Sequence, residues 1–206
     1  MPLIRKPTQP PGHLRPGPAE ILAGLASANP DERWAAARGA GELPDAVPAI
    51  AAALAREADP RVREAMFTSL VRIGTRDSVV SVLPLLRSND SALRTGALDA
   101  LLSSPIAAHE LLAGLLSDPD VDVRILSCEL ARTLPNEEAT RSLCTLLERE
   151  REINVCAAAI EVLAEVGDQA ALPTLARCAQ RFPQVPFLAF AIKLATERIT
   201  AAGSRG

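Results

Sequence analysis

The chain has 206 residues, is 48% apolar but only 2% aromatic, lacks tyrosine and carries a formal net charge of −3 at neutral pH. Such an alanine- and leucine-rich, aromatic-poor composition suits close helix packing and argues against a β-sandwich, whose strands favour aromatic and β-branched residues. A pI near 5.5 withholds the basic field that nucleic-acid binding requires, and no run is long and apolar enough to cross a membrane.

In chain order, the first 18 residues hold six of the seventeen prolines (Pro2, Pro7, Pro10, Pro11, Pro16 and Pro18), mixed with Arg5, Lys6, His13 and Arg15. This stretch reads as a disordered or polyproline-like tail. It has no secretory signal, and the protein is expected to be soluble and cytoplasmic. From 19 to 200 a unit of about 31 residues returns six times, and 201–206 reads as a flexible C-terminal tail. First helices are predicted over 19–27, 45–57, 76–87, 106–116, 137–149 and 169–181. They carry apolar pairs four apart: Ile21 and Leu25, Ile50 and Leu54, Val82 and Leu86, Leu112 and Leu116, Leu143 and Leu147. Thr174 and Cys178 hold those places in the sixth. That spacing is one stripe of an amphipathic helix.

Second helices are predicted over 31–42, 60–73, 91–103, 120–133, 153–166 and 185–200. The first four follow a turn in which an acidic or amide residue stands four before an arginine: Asn29 and Arg33, Asp59 and Arg63, Asp90 and Arg94, Asp120 and Arg124. The pair degrades to Glu152 and Cys156, and Phe187 is taken as the sixth position, so the column is spaced 30, 31, 30, 32 and 31 residues apart. Pro44, Gly74, Pro105, Pro135 and Gly167 stop the second helices. The cysteines Cys128, Cys144, Cys156 and Cys178 fall on helices, have no Cys-x-x-Cys spacing and read as reduced core thiols. Arginine outnumbers lysine 20 to 2, which with the alanine content points to a high-GC bacterial genome.

Three segments, Asn29-Pro-Asp-Glu-Arg-Trp-Ala-Ala-Ala-Arg38, Asp59-Pro-Arg-Val-Arg-Glu-Ala65 and Asp118-Pro-Asp-Val-Asp-Val-Arg124, resemble HEAT repeats. The likeness is to the short bacterial HEAT-like type that includes phycobilin lyase subunits. The resemblance implies an all-α fold, a right-handed α-solenoid of about six helical hairpins. It also implies first helices on the convex side, second helices on the concave side, and turn Asp and Arg residues that interlock between neighbouring repeats.

Asp59, Asp90 and Asp120 are suited to accept N–H bonds at the next helix start. The forks of Arg33, Arg63, Arg94 and Arg124 can bridge to a neighbouring carboxylate. The alternative, a phosphate-binding ladder, fits poorly with the negative net charge. Function is expected on the exposed stripe one, five and nine residues after the arginine column. That stripe includes Trp34, Arg38, Glu64, Arg72, Asp99, Ile125, Glu129, Glu161 and Glu165, and turns acidic toward the C-terminal half. Trp34 and Ile125 are its apolar anchors.

Catalytic constellations are scarce. His109-Glu110 is a single pair where the related deoxyhypusine hydroxylase uses several to hold iron, and it falls in a column occupied elsewhere by Val47 and Val79, a packing edge. A glycosylase would need a basic, aromatic groove. The expected function is a non-catalytic adaptor that binds a cytoplasmic protein partner on its concave face, without cofactor or metal, in a sequence style similar to small HEAT proteins of bacterial signalling systems. The alternative is an enzyme-associated subunit of chromophore-lyase type.

Overall fold

The computed structural model describes residues 16–104 and 107–204, and every regular element among them is helical. Twelve α-helices are present among the described residues: α1 (Pro18–Gly24), α2 (Pro30–Ala40), α3 (Val47–Leu54), α4 (Pro60–Ile73), α5 (Arg76–Val82), α6 (Ser91–Leu102), α7 (Leu112–Leu115), α8 (Val121–Cys128), α9 (Asn136–Arg149), α10 (Ile153–Val166), α11 (Leu172–Arg181) and α12 (Pro186–Gly203). Odd and even helices pair as six antiparallel hairpins, and the hairpins stack: α2 on α4, α4 on α6, α8 on α10, and α10 on α12. The architecture is therefore an α-solenoid with a first-helix layer and a second-helix layer.

Several predicted helices are realised in two pieces. Three-ten turns precede α3 and α11 and follow α5 and α8, and a π turn, Ala107–Leu111, leads into α7. Most of the proline-rich tail lies outside the described residues. At the other end α12 continues to Gly203, into the segment expected to be a flexible tail, whose residues 205–206 lie outside the described residues.

The turns explain why helices begin where they do. Asn29, Asp59, Asp90 and Asp120 are N-caps, each accepting the N–H two residues on at 2.9 Å. Helix α4 ends on Gly74 at φ 62°, left-handed backbone that glycine adopts without strain, and its N–H returns to the Leu70 carbonyl.

The same backbone bonds correct the register of the last repeat. The N–H groups of Arg33, Arg63, Arg94, Arg124 and Cys156 each donate to the carbonyl of the N-cap four residues earlier; in α12 that bond runs from Ala189 to Val185. Ala189, not Phe187, is the sixth member of the column. A proline at the first helical position sets the start: Pro30, Pro60 and Pro186 each stand three residues before the column.

Burial follows this register. One residue before the column, Val62, Leu93, Val123, Val155 and Leu188 are all buried, each such side chain contributing roughly 1.5–3 kcal/mol. The first repeat has an exposed Glu32 there instead. Four residues after the column, Ala37, Phe67, Cys128 and Ile160 are buried and Leu98 is half-buried. In α12 that place is taken by Lys193, paired with Glu197 at 3.9 Å. Both ends of the stack thus turn polar in columns that are apolar inside, as terminal repeats must to stay in water.

Candidate functional site

Each turn is closed by a recurring set of bonds. Arg33, Arg63, Arg94 and Arg124 donate to the carbonyl six residues before, at 2.9, 2.6, 2.7 and 2.7 Å. Even Cys156 directs its Sγ to the Glu150 carbonyl at 3.9 Å. The side chain of that same earlier residue accepts the N–H of the N-cap: Ser27, Glu57, Ser88, Asp118 and Glu150 all do so.

The interlock between repeats uses partners different from those the sequence singles out. Arg33 grips Glu57 through Nε (2.7 Å) and Nη2 (2.9 Å), and Arg124 grips Glu150 through Nε at 2.8 Å. Arg63 reaches Asp90 at 2.7 Å. Of the predicted aspartates only Asp90 takes part; Asp59 and Asp120 serve as helix caps. Arg94 has no carboxylate partner among the described residues. Glu57 and Glu150 are not singled out by the sequence pattern because their column, six before the arginine, reads Ser27, Glu57, Ser88, Asp118 and Glu150, so no one residue type runs through it.

The Arg33 hydrogen bond holds the Glu57 carboxyl at about 2, below its ordinary 4.5, with the Asp59 and Ala58 N–H groups helping against burial. At Glu150 burial pushes upward, but Arg124 and the Glu152 and Arg151 N–H groups outweigh it, and the net shift is downward. Depressed carboxyls stabilise the fold fully above their unfolded value. From about pH 4.5 downward that stability should drain, with Glu57 losing its share as pH approaches about 2. Allowing for solvent screening at the turn, Glu57 should account for about 1–3 kcal/mol of acid sensitivity. Urea melts of the native chain and Glu57→Gln from pH 7 to 3 test this, since the variant should have the flatter profile.

The predicted stripe lies on the second-helix layer, and the structure sorts its members. Arg38, Glu64, Arg72, Asp99, Glu161 and Glu165 are exposed. Trp34 is half-buried under two cations, with the Arg38 guanidinium 4.8 Å and that of Arg61 6.0 Å from its ring centre. Arg61 also meets Asp31 at 2.5 Å. Ile125 packs down on the core rather than projecting as an anchor.

The expected acidic half is largely neutralised. Arg132 bonds Glu129 at 2.7 Å and also pairs with Glu165, a bridge across repeats that the stripe pattern could not reveal. Among these three acids Glu161 alone has no ion-pair partner among the described residues. The corrected register adds Phe190, 68% exposed, and Leu194, 36% exposed, to the same columns.

Two grooves cross this face. One of about 250 Å³ lies between α2 and α4 and is lined by Trp34, Arg38, Arg61, Glu64, Thr68 and Arg72. The other, about 560 Å³, lies between α4 and α6, with Phe67, Val71 and Ala100 in its apolar lining and Glu64 and Asp99 among its polar groups. They share Glu64 and Thr68 of α4, so the two grooves lie side by side across three repeats. Hollows on the first-helix layer, about 580 and 310 Å³, share no residues and stay separate.

The remaining chemistry is largely engaged elsewhere. His109 is exposed rather than at a packing edge, 3.7 Å from Glu138, and Glu110 pairs with Arg76 at 3.1 Å. No metal-holding cluster occurs among the described residues. All four cysteines are free, three of them buried. No helix among the described residues is long and apolar enough to cross a membrane.

A stack of short helical hairpins with capped turns and an interlocking arginine column defines an α-helical repeat protein. The profile for HEAT repeats matches residues 18–102 and 108–185, and the chain belongs to that family. No curated protein matches it. Similar solved structures include an archaeal HEAT-like repeats protein from Thermococcus onnurineus NA1, at 15% identity and TM-score 0.49 over 88% of this chain and 86% of that one. The complex of CpcE and CpcF of phycocyanin lyase from Nostoc sp. PCC7120 matches at 18% identity and TM-score 0.40, over 96% and 100%. An engineered protein matches at 18% and 0.41, over 88% and 96%.

Proposed function

We propose that this protein is a non-catalytic interaction scaffold that holds an extended or helical segment of a protein partner in the grooves across α2, α4 and α6. The observation that carries this reading is the pair of adjacent grooves that share Glu64 and Thr68 across α2, α4 and α6. Stacked repeats present side chains from successive second helices to one ligand, and a scaffold needs such a surface. Its chemistry also suits peptides: an apolar floor, a tryptophan under two guanidiniums, and carboxylates along the edge. The cytoplasm of a bacterium and a role in signalling are the setting we assign to it.

The test is affinity capture by the full chain from native lysate, with quantitative mass spectrometry. Thr68 is exposed and lines both grooves, so Thr68→Trp should plug them and reduce the captured partner at least tenfold. Arg141→Glu, at an exposed site on α9, should leave capture unchanged, and both variants should melt within about two degrees of the native chain because surface changes usually stay within roughly 0.5 kcal/mol. Loss of partner with Arg141→Glu and retention with Thr68→Trp would place binding on the other layer. A shift in bilin absorbance on mixing with the protein would instead support the chromophore-lyase alternative and overturn the non-catalytic reading.

A further inference from the structure

Positive charge gathers at one place on the second-helix face. Arg38, Arg61 and Arg72 all line the α2–α4 groove of about 250 Å³, whose lining holds a single carboxylate, Glu64. Arg61 is paired with Asp31 at 2.5 Å. Arg38 and Arg72 are exposed and have no ion-pair partner among the described residues: Arg38 lies over Trp34, and Arg72 meets the Arg38 carbonyl at 3.5 Å. Arginines elsewhere on the second helices are answered by acids, Arg63 by Asp90, Arg124 by Glu150 and Arg132 by Glu129 and Glu165. A guanidinium stacked on an indole keeps its N–H edge free to grip an oxyanion, and the stack holds it in place beforehand. The exposed Thr68 adds a hydroxyl to the same groove.

The kind of anion follows from what lies beside the groove. The α4–α6 groove, next along the face, has Phe67, Val71 and Ala100 in its apolar lining, with Glu64 and Asp99 among its polar groups. Neither acid has an ion-pair partner among the described residues, and Arg63, in the same lining, is engaged by Asp90. A nucleic-acid strand carries a phosphate at every step, so its charge would run on from the arginines onto these acids. The chain's net charge of −3 adds to that repulsion. A peptide can change its chemistry within one repeat: neighbouring helices pack about 8–10 Å apart, a distance that an extended chain covers in about three residues.

We infer that the α2–α4 groove is a carboxylate-binding subsite: an acidic pair of the partner segment sits between Arg38 and Arg72, while an aliphatic side chain about three residues further on enters the α4–α6 groove. The inference rests on reading the second-helix face as a peptide-binding surface. It gives that surface a direction, with acids at α2 and an aliphatic residue followed by a cation toward α6, where Glu64 and Asp99 receive the cation.

Trp34 is the only tryptophan in the chain, so its emission reports on this groove alone. The full chain is titrated with the peptide acetyl-Glu-Glu-Ser-Gly-Leu-Lys-amide, with the same peptide carrying Gln-Gln for Glu-Glu, and with a thymidine hexanucleotide. The expected result is a saturable change in emission with the acidic peptide, at an affinity at least tenfold above that of the glutamine peptide. Arg72→Glu, which leaves the Arg38 stack on Trp34 in place, should weaken the acidic peptide at least fivefold, and Arg141→Glu should bind it as the native chain does. The glutamine comparison needs no variant, so it decides whatever a substitution does to folding. The inference is overturned by no saturable change with the acidic peptide, by equal affinity for the glutamine peptide, by indifference to Arg72→Glu, or by tighter binding of the oligonucleotide, which would assign the groove to nucleic acid. If the peptide fails while the native chain still captures a partner and Thr68→Trp still loses it, the scaffold stands without this subsite, whereas failure of the scaffold reading removes the capture itself.

Discussion

Glu57→Ala should lower the folding free energy by about 3–5 kcal/mol, the usual consequence of removing one member of a buried, hydrogen-bonded ion pair. The Glu57 side chain is only 4% exposed and receives four donors: the Arg33 Nε and Nη2, and the N–H groups of Ala58 and Asp59. Truncation leaves a guanidinium facing a turn that no longer neutralises it, and two backbone donors without acceptors. Arg94→Ala is the informative contrast. It removes one bond, to the Ser88 carbonyl at 2.7 Å, and should lower stability by only about 1 kcal/mol. Urea unfolding measures both, provided the slope with denaturant is unchanged. Equal losses would show that the arginine column, rather than the buried carboxylates, carries the interlock.

Gly96→Ala should destabilise the fold by about 1–3 kcal/mol, although exchanging glycine for alanine inside a helix ordinarily gains about 1 kcal/mol. The reason is contact: an added Cβ would meet Phe67 Cε2, Cδ2 and Cζ at 2.3, 2.8 and 2.9 Å. Phe67 is buried, and its ring must swing toward the groove or push α4 away from α6. The first response would fill the groove floor, so the variant should also weaken partner capture. Thermal unfolding decides the sign; a raised melting temperature would mean that the α4–α6 contact yields easily and that Gly96 does not shape the groove.

The six hairpins could be read from the sequence because everything that sets them is local. Apolar pairs four apart define each first helix, and Asn29, Asp59, Asp90 and Asp120 cap helices through side chains that reach only two or three residues along the chain. Most predicted helix boundaries therefore fall within a few residues of those observed. Where the local signal weakens, the pattern misleads: with no acid or arginine in the last turn the spacing points to Phe187, whereas the backbone bond from Ala189 to Val185 sets the register and brings the exposed Phe190 and Leu194 onto the stripe.

Tertiary structure alone decided who meets whom across repeats. Glu57 answers Arg33 from 24 residues away and Glu150 answers Arg124 from 26. Arg132 gathers Glu129 and Glu165, which turns a predicted acidic surface into a paired network. The stripe's columns say which residues share a helix face, but not which neighbour neutralises them, because that depends on how far each hairpin slides and rotates on the one before. The α4–α6 groove has the same origin: Gly96 is unremarkable in the sequence, and only the stacking shows Phe67 of the preceding repeat seated against it in the groove lining.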